Sequence, residues 1–366
     1  MGKKNKKVVV AMSGGVDSSV TALLLQQEGY DIIGITLKTW GYEDFPQKDS
    51  GCCSLEAIYN ARNVAMKLGI PHYTLDFTER FNETVISNFI SEYLSGNTPN
   101  PCVLCNKVIK WGALLEKAQT LGADYIATGH YARLRFDDTT GRYVISVAKD
   151  KIKDQSYALW QVSQYALSKT ILPLGNYTKS EIRQIAHEFR LKTADTPDSQ
   201  EICFVPNDNY RELLEIRMPE KMKEIKRGDI IYKGKKVGEH QGYPYYTIGQ
   251  RRGLNVSLGK PVYVARIDAE NNIVYLDDKE GLFHTTFIAR DINLIKYSKI
   301  DERIRASVKV RYKDSATPAT IEQIDNTRVK VTFLEPKKSI TPGQSAVFYE
   351  NEDVIGGGII AKIIED

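Results

Sequence analysis

Residues 8–19 read VVVAMSGGVDSS, and this passage from an apolar run into two glycines indicates the class of fold. Val8–Met12 predicts a short buried strand, and Ser18–Glu28 predicts a helix that Gly29 ends. Glycines between a strand and a helix let the backbone turn tightly and approach a phosphate group. The amides at the helix start would point at that anion, aided by the helix dipole. We therefore predict a phosphate-binding turn in an α/β domain.

The side chains of this turn indicate which kind of phosphate site it forms. No Gly-Lys-Ser/Thr follows, so the turn is not a Walker loop, and its spacing does not fit a dinucleotide fingerprint. A simple capped turn would explain the glycines but not the additional serines and Asp17. Asp17 is best explained as an outer ligand of Mg²⁺ on a pyrophosphate. Ser13–Ser18 resembles the PP-loop, Ser-Gly-Gly-x-Asp-Ser, of the ATP-pyrophosphatases. This resemblance implies cleavage of ATP between its α and β phosphates and adenylation of a carbonyl oxygen.

The pattern of the chain changes at about Ile202. Before that residue, strand-like and helix-like stretches alternate, which predicts an α/β fold with a doubly wound parallel sheet. The predicted strands are Val8–Met12, Asp31–Thr39, His72–Phe77 and Asp124–Thr128, and the predicted helices are Ser18–Glu28, Ser54–Leu68, Phe81–Leu94, Lys107–Leu121, Gln155–Ser163 and Lys179–Phe189.

After Ile202 a lysine-rich segment, Lys221–Lys236, leads into short strands separated by turn residues. Repeated hairpins at this spacing predict a small carboxy-terminal β-barrel. We predict three domains: a PP-loop catalytic domain over 1–205, a small central domain over 206–280 and the β-barrel over 281–366. The predicted hairpins pair Val262–Ile267 with Ile273–Leu276, Thr320–Ile324 with Val329–Leu334, and Ser345–Tyr349 with Val354–Ile360.

Composition limits the class of protein without naming a function. The 366 residues are 42% apolar and 26% charged, as in a globular protein, and 50 basic against 46 acidic residues give a weak bias towards polyanions. The 21 tyrosines could stack on bases or pack in sheets. The apolar run near the amino terminus is too short for a signal peptide or a membrane span. Five cysteines, an odd number, argue against a secreted disulfide framework. We expect a cytoplasmic protein.

The cysteines indicate further chemistry. Cys102 and Cys105 form a Cys-x-x-Cys pair between prolines and a predicted helix start, where the helix dipole should lower a thiol pKa. Cys203 lies 98 residues after Cys105. A structural zinc site would need a fourth ligand that the sequence does not offer nearby, and the surroundings do not support a thioredoxin-like redox pair. Buried, inert thiols are the simplest interpretation of Cys52 and Cys53 but not of the other three together.

Several motifs along the whole chain resemble those of the tRNA-specific 2-thiouridylases. They occur in the order typical of that family, and together they are more specific than the PP-loop alone. The matching stretches are Ser13–Ser18, Thr98–Lys107, Ala127–Tyr131, Lys153–Tyr157, Gly238–Gly242, Ile248–Arg251 and Thr341–Gln344.

The resemblance implies a cofactor, a target and a sulfur carrier. ATP would adenylate the C2 oxygen of the wobble uridine of tRNA, with Mg²⁺ on its phosphates. Cys203 would carry a persulfide supplied by a sulfur-donor protein, and Cys105 would act as nucleophile or resolving thiol, so that a Cys105–Cys203 disulfide forms and must be reduced. The implied ATP-binding residues are Ala11, Met12, Ser13, Gly14, Gly15, Val16, Asp17, Ser18, Leu37 and Gly129.

The resemblance also implies contacts with tRNA, in the central domain and around the target base. The wobble base lies in a single-stranded loop and can be splayed into a pocket at modest cost. The implied tRNA-binding residues are Asn100, Pro101, Cys102, His130, Lys153, Asp154, Gln155, Arg311, Tyr312 and Gln344.

Two positions depart from the family pattern. Ala11 stands where the family often has glycine, which is a small change. Cys102 stands where many members have aspartate, and a thiol cannot replace a carboxylate in acid–base chemistry. With Cys105 and Cys203 it makes a set of three thiolates that could instead hold a [4Fe–4S] cluster with one open iron site for hydrosulfide. The persulfide and cluster routes both remain open at this stage.

Two rival functions remain. Another PP-loop enzyme, a ligase or amidase acting on a different carbonyl, would need the ATP site but not three cysteines. An RNA-binding scaffold with a vestigial ATP site would need neither, although the intact Ser13–Ser18 loop argues against it.

Overall fold

The computed structural model describes residues 6–40, 54–198, 202–205, 209–300 and 303–364. Cys52 and Cys53 lie outside the described residues. In chain order, the helices of the described residues are α1 (Val16–Gln27), α2 (Leu55–Leu68), α3 (Thr78–Phe81, continued by Asn82–Ile86 and Ser87–Leu94), α4 (Pro101–Cys105, continued by Asn106–Ala113 and Leu114–Thr120), α5 (Gln164–Ser168), α6 (Lys179–Glu188), α7 (Tyr210–Arg217) and α8 (Pro219–Glu224). Short 3₁₀ turns cover Ser156–Leu159, Pro173–Asn176, Tyr243–Tyr245 and Glu280–Leu282.

The strands form three sheets. In chain order they are β1 (Lys7–Ala11), β2 (Asp31–Lys38), β3 (His72–Asp76), β4 (Tyr125–Ala127), β5 (Ala132–Asp137), β6 (Arg142–Val147), β7 (Thr170–Ile171), β8 (Gly228–Tyr232), β9 (Lys235–His240), β10 (Tyr263–Asp268), β11 (Ile273–Asp277), β12 (Phe283–Leu294), β13 (Ile304–Lys309), β14 (Thr317–Gln323), β15 (Arg328–Lys338), β16 (Ser345–Glu350) and β17 (Asp353–Ile364).

The first sheet is parallel, with strand order β3-β2-β1-β4-β7. Alternate residues of β1 face opposite sides of the sheet, since Val8 and Val10 pack in one apolar cluster and Val9 in another. Helices therefore cover both faces, which explains why the strand is apolar throughout. The predicted doubly wound parallel sheet is confirmed.

Helix α4 begins earlier than the sequence pattern predicts. It was expected from Lys107, but Pro101 occupies its first position, where the fixed φ of proline suits a helix start. The middle of α4, Asn106–Ala113, is π-helical. Cys102 and Cys105 consequently lie in the first turns of this helix. A second expectation was only partly right: within 155–163 the helical part is the 3₁₀ turn Ser156–Leu159.

The second sheet is small and lies in the middle of the chain. Its strand order is β10-β11-β8-β9, with β11 and β8 parallel and the other pairs antiparallel. The predicted hairpin around Asn271 and Asn272 is present as β10 and β11, and Asn272 has the positive φ of 55° that such a turn requires.

The third sheet closes into a barrel. Six strands follow the order β12-β15-β14-β13-β16-β17, and a further pairing of β12 with β17 closes the ring. Phe287, Phe333 and Phe348 fill its interior. The predicted carboxy-terminal barrel is confirmed.

One hairpin was not predicted from the sequence. Strands β5 and β6 follow β4 along the chain, yet they extend the barrel sheet through the pair Ser146–Asp353. Arg142 donates to the carbonyl oxygens of Leu294 and Ile295 at 3.0 and 2.8 Å. The segment that follows the first sheet's fourth strand is thereby built into the carboxy-terminal barrel.

Within the described part of the chain, every helix is too short or too polar to cross a membrane.

Candidate nucleotide and thiol site

The turn between β1 and α1 has the conformation expected of a phosphate loop. Gly14 adopts a φ of +75°, and a Cβ there would lie 2.1 Å from the carbonyl oxygen of Ala57. Gly15 caps α1 without a side-chain hydrogen bond to the first-turn amides. Those amides therefore point outward from the helix start, where they can receive an anion.

The serines of the loop have separate tasks. The buried hydroxyl of Ser18 accepts from the Ser13 amide at 3.1 Å, and that of Ser19 donates to the Gly15 carbonyl at 2.8 Å. These two residues hold the loop in shape. Ser13 is exposed, and its hydroxyl lies 3.3 Å from that of Ser18, so it is the loop serine that a ligand can reach.

The carboxylate of Asp17 is paired with a lysine of the same chain. This carboxylate accepts from the ammonium group of Lys179 at 2.7 and 2.8 Å and from the Tyr131 hydroxyl at 2.7 Å. Lys179 also pairs with Asp198 at 2.7 Å. Lys179 thus neutralises the carboxylate that was expected to be an outer ligand of Mg²⁺. That role of Asp17 stays a prediction.

The loop lies at the topological switch point of the sheet. β1 is hydrogen-bonded to β2 on one side and to β4 on the other, and crevices at such points hold ligands in open α/β sheets. Gly129, just after β4, packs against α1, since a Cβ there would lie 3.0 Å from the Ser18 amide nitrogen. Leu37 is the penultimate residue of β2, on the other side of β1. The structure therefore brings these two residues, expected near adenosine, to the same edge of the sheet as the loop.

His130 follows β4 at this edge of the sheet, and its side chain is neutral. It is buried, its Nδ1 is 2.7 Å from the Thr128 hydroxyl, and its ring lies 5.4 Å from that of Trp111. Burial, and then the charge of Lys110, hold the pKa of His130 well below its ordinary value. At neutral pH the imidazole is uncharged.

Lys153 and Gln155 both contact residues that surround the phosphate loop. Lys153 pairs with Asp198 at 2.7 Å, which also binds Lys179. The Gln155 side chain accepts from the Tyr131 amide at 3.0 Å. Both residues, expected at tRNA, are thereby connected to the phosphate loop.

Asp154 faces inward. It is buried, and its carboxylate accepts from the amides of Ala148 and Ser156 and from the Ser156 hydroxyl, at 3.0, 3.2 and 2.8 Å. In this arrangement it fixes its own loop.

Cys102 stands at the mouth of the site, but its acidity differs from the expectation. The side chain is exposed, yet the surrounding protein desolvates the thiol and raises its pKa, while Lys110 acts in the opposite direction. The prediction of a lowered pKa is therefore wrong for Cys102, because desolvation of the thiol has a larger effect than the charge of Lys110.

Cys105 and Cys203, 98 residues apart in sequence, pack against the same apolar cluster. Both are half-buried, and this cluster contains Phe81, Phe89 and Phe204. The Phe204 ring contacts the other two edge-on at 5.4 and 5.2 Å, which fixes the residue after Cys203. Neither thiol is in a disulfide.

The three thiols do not form a metal-ligand set. Across the described ranges, which include Cys102, Cys105 and Cys203, no group of three or more His, Cys, Asp or Glu side chains is placed to hold a metal ion. The arrangement does not fit the iron–sulfur cluster that the sequence left open.

The barrel contributes the other wall of the site. Gln344 donates to the carbonyl oxygens of Thr98 and Pro99 at 2.8 and 3.2 Å, just before α4 begins. The Asn100 side chain lies beside the hydroxyl of Tyr157, which donates to the Ser345 carbonyl at 2.8 Å. These contacts tie the start of α4 to the barrel.

Two further residues expected at tRNA lie on the same wall. The Arg311 guanidinium donates to the Ser339 carbonyl and the Thr341 hydroxyl at 3.0 and 2.9 Å. Tyr312 is 38% exposed; burial, followed by the charges of Asp154 and Cys102, raises its pKa to about 12. An exposed aromatic ring beside Cys102 can stack on a base.

Sequence reasoning missed several residues of this site. Lys179, Asp198, Tyr131 and Lys110 all lie in or beside motifs or helices that the sequence analysis identified, but surface lysines and packed tyrosines have the same local patterns. Lys179 occupies the first position of α6, after the Thr178–Glu181 capping box, and this signal predicts a helix start rather than a phosphate neighbour.

A phosphate loop at the switch point of a parallel sheet, with helices on both faces, defines a nucleotide-binding α/β domain of the PP-loop class. The family model "tRNA methyl transferase HUP domain" matches residues 6–207, "tRNA methyl transferase PRC-barrel domain" matches 214–278, and "Aminomethyltransferase beta-barrel domain" matches 284–360.

Curated relatives match over nearly the whole chain. A tRNA-specific 2-thiouridylase MnmA of Salinibacter ruber is 51% identical, over 98% of this chain and 95% of the relative. Those of Amoebophilus asiaticus and Carboxydothermus hydrogenoformans are 52% and 49% identical, over 98% of this chain and 96% and 98% of theirs. The chain belongs to the tRNA-specific 2-thiouridylase family.

Proposed function

We propose that this chain converts the wobble uridine of tRNA to 2-thiouridine, by adenylation of the C2 oxygen followed by sulfur transfer. The observation that supports the proposal is an apolar cluster that two of the thiols share with the edge of the sheet that bears the phosphate loop. Leu37, at the edge of the sheet that also bears the loop, packs against the same apolar cluster as Cys105 and Cys203. Thiols at this place suit transfer of sulfur, and an ATP site supplies the activation that an unreactive carbonyl needs.

The first step uses ATP, with Mg²⁺ as part of that substrate. The uracil O2 attacks the α-phosphorus, the bond to the β-phosphate oxygen breaks and pyrophosphate leaves, and the N3 proton passes to solvent water. Outward-pointing amides after Gly15 would stabilise the phosphate charge. Ala11–Ser18 would hold the phosphates, with Leu37 and Gly129 beside the adenosine. Lys179 would pair with the phosphates of ATP in place of the Asp17 carboxylate.

The second step uses a persulfide on Cys203, loaded by a sulfur-donor protein. In the direct route the terminal sulfur attacks C2 and AMP leaves with the former C2 oxygen. Cys105 then attacks the Cys203 sulfur, which breaks the S–S bond and frees the 2-thiouridine. In the other route Cys105 attacks first and releases hydrosulfide, which attacks C2. Both routes end in a Cys105–Cys203 disulfide that an external thiol reduces.

The tRNA would enter between the PP-loop domain and the barrel, against the lysine-rich segment of the central domain. Tyr312 and Asn100 would receive the splayed base. Gln344 would hold the segment before α4 against the barrel, and Arg311 would hold the barrel wall in position.

The test is thiolation in vitro of unmodified tRNA with ATP and a persulfide donor, followed by nucleoside mass spectrometry. It is run with and without reconstituted iron. Formation of 2-thiouridine by iron-free protein supports the persulfide route, whereas a strict need for iron would replace it with a cluster route through a different arrangement of the thiols. No 2-thiouridine under either condition overturns the proposal.

Two variants sharpen this test. Cys203→Ser should abolish 2-thiouridine while leaving tRNA-dependent release of pyrophosphate, because adenylation precedes sulfur transfer. Cys53→Ser, the matched cysteine control, should keep the wild-type rate. Full turnover by Cys203→Ser would instead favour a PP-loop ligase or amidase.

A further inference from the structure

Lys110 shares a face of α4 with Cys102. An α-helix completes two turns in about seven residues, and the two side chains are eight residues apart. The π-helical stretch Asn106–Ala113 takes more residues per turn, and this widening accommodates the extra residue. Lys110 is therefore directed to the same cleft as the thiol at the helix start. The next residue, Trp111, packs on His130, which places Lys110 beside the end of β4.

Among the residues that the structure describes, the ammonium group of Lys110 has no anionic partner. It is half-buried, and among the described residues it forms no ion pair or hydrogen bond through its ammonium group. The other cations around the phosphate loop differ in this respect: Lys153 and Lys179 are both paired with Asp198. A half-buried ammonium group without a carboxylate is costly unless something else completes its environment.

The described side chains on which the charge of Lys110 acts are neutral. Burial raises the pKa of the Cys102 thiol and lowers that of His130, with Lys110 acting on both. Tyr312, beside Cys102, has a pKa raised to about 12 by burial. At neutral pH none of the three supplies an anion. An anionic group of the substrate would complete the described surroundings of Lys110.

We propose that Lys110 is a catalytic residue of the adenylation step, which donates a hydrogen bond to the uracil ring and stabilises the negative charge that develops there. The charge arises when N3 loses its proton and O2 attacks the α-phosphorus. Lys110 forms no covalent bond, so the atom balance of the step is unchanged. This inference rests on the proposed function, because it assigns the group that acts on the base.

The first experiment compares Lys110→Gln, Lys110→Arg and the control Lys107→Gln. Lys107 is an exposed lysine on the same π-helical stretch. Lys110→Gln should lower the single-turnover rate of tRNA-dependent pyrophosphate release about 100-fold, the loss typical for one charge-stabilising donor. Its Kd for tRNA should change by less than about threefold, because one ion contact in many is lost. Lys107→Gln should stay within about twofold of the wild type, and Lys110→Arg should recover part of the rate.

The second experiment separates charge stabilisation from a structural role. A tRNA with 5-fluorouridine at the target position has a more acidic N3, so its ring accepts negative charge more easily. The deficit of Lys110→Gln should shrink about tenfold on this tRNA, as general acid–base behaviour requires. A structural defect would leave the deficit unchanged.

The outcomes distinguish this inference from the function on which it rests. If the wild type makes no 2-thiouridine, the proposed function fails. If the wild type is active and Lys110→Gln reacts as fast, or keeps the same deficit on the 5-fluorouridine tRNA, only the assignment of Lys110 is overturned.

Discussion

At the scale of single residues, the ammonium group of Lys179 links the phosphate loop to a second carboxylate. Lys179 is 12% exposed and binds both Asp17 and Asp198, while the Tyr131 hydroxyl donates to Asp17 from the other side. Desolvation, then the negative charge of Asp17, raises the pKa of Tyr131, so it remains a hydrogen-bond donor. An arriving polyphosphate competes with two carboxylates for the same lysine. We infer that ATP binding and rearrangement of this pair are one event.

Replacing Lys179 tests this coupling. Lys179→Met should raise the KM for ATP at least about tenfold, since a hydrogen bond to a charged group contributes about 1.5–3 kcal/mol. Isothermal titration with a non-hydrolysable ATP analogue measures the affinity directly. The matched control is Lys149→Met, because Lys149 pairs with Glu181 on the exposed side of the same helix, α6, and such surface pairs contribute about 0–1 kcal/mol. Equal ATP affinity in Lys179→Met and Lys149→Met would contradict the role of Lys179.

At the scale of elements, the loop's shape depends on its contact with α2. Gly14 needs both its positive φ and the absence of a Cβ, since the carbonyl of Ala57 in α2 fills that space. Ser54 caps α2 by accepting from the Ala57 amide at 3.1 Å, which holds the first turn of α2 in place. The phosphate loop is therefore fixed by a helix that contributes no predicted ligand.

The substitution Gly14→Ala should displace the loop. Its Cβ would lie 2.1 Å from the Ala57 oxygen, so one of the two backbones must move. A misplacement of about 1 Å can cost about 100-fold in rate, and we expect a loss of that order in tRNA-dependent pyrophosphate release.

Gly69→Ala is the control for the backbone effect. Gly69 also has a positive φ, at the end of α2, but open space surrounds its Cβ position. It should lose about 1 kcal/mol of stability and keep the wild-type rate. If thermal unfolding shifts equally in both variants and both keep full activity, the contact with Ala57 does not shape the site.

At the scale of the whole molecule, the barrel is joined to the PP-loop domain by the hairpin of β5 and β6. Asp353 of β17 accepts from Ser146 at 2.6 Å and from Lys296 and Arg135, both at 2.8 Å. Burial alone would raise the pKa of Asp353, but these donors lower it. Because β5 starts directly after Tyr131, the barrel is connected through this hairpin to the partner of Asp17.

Asp353→Asn should weaken this junction. We expect a loss of about 2 kcal/mol, the scale of hydrogen bonds to a charged group, and easier proteolysis between the domains. The folded pKa lies below the unfolded value of about 3.9, so this stabilisation is fully present above about pH 4 and is lost as the pH falls through the folded pKa.

Thermal unfolding at pH 7 and across the acid range measures this effect. Glu352→Gln is the control, since Glu352 pairs with Arg133 and Lys151 at the exposed surface. An Asp353→Asn variant as stable as Glu352→Gln would show that the junction does not depend on this carboxylate.

Some of this architecture can be predicted from local sequence. The alternation of apolar strands and capped helices predicts the parallel sheet, because those patterns depend on neighbours a few residues apart. The glycines after β1 predict the phosphate loop for the same reason. Strands β5 and β6 were missed because they pair mainly with each other and, at one position, with a strand more than 200 residues away.

The sequence by itself determined the phosphate loop, the fold class and, through the family's motifs, the set of thiols that a sulfur-transfer reaction needs. Only the tertiary structure decided which of these groups meet. It joined Asp17 to Lys179 across 162 residues, brought Cys105 and Cys203 to one apolar cluster, and left Lys110 without an anionic partner among the described residues. The physical reason is that strand and helix periodicity is a local property, whereas ion pairing, desolvation and the pKa of a thiol depend on what the fold places around each group.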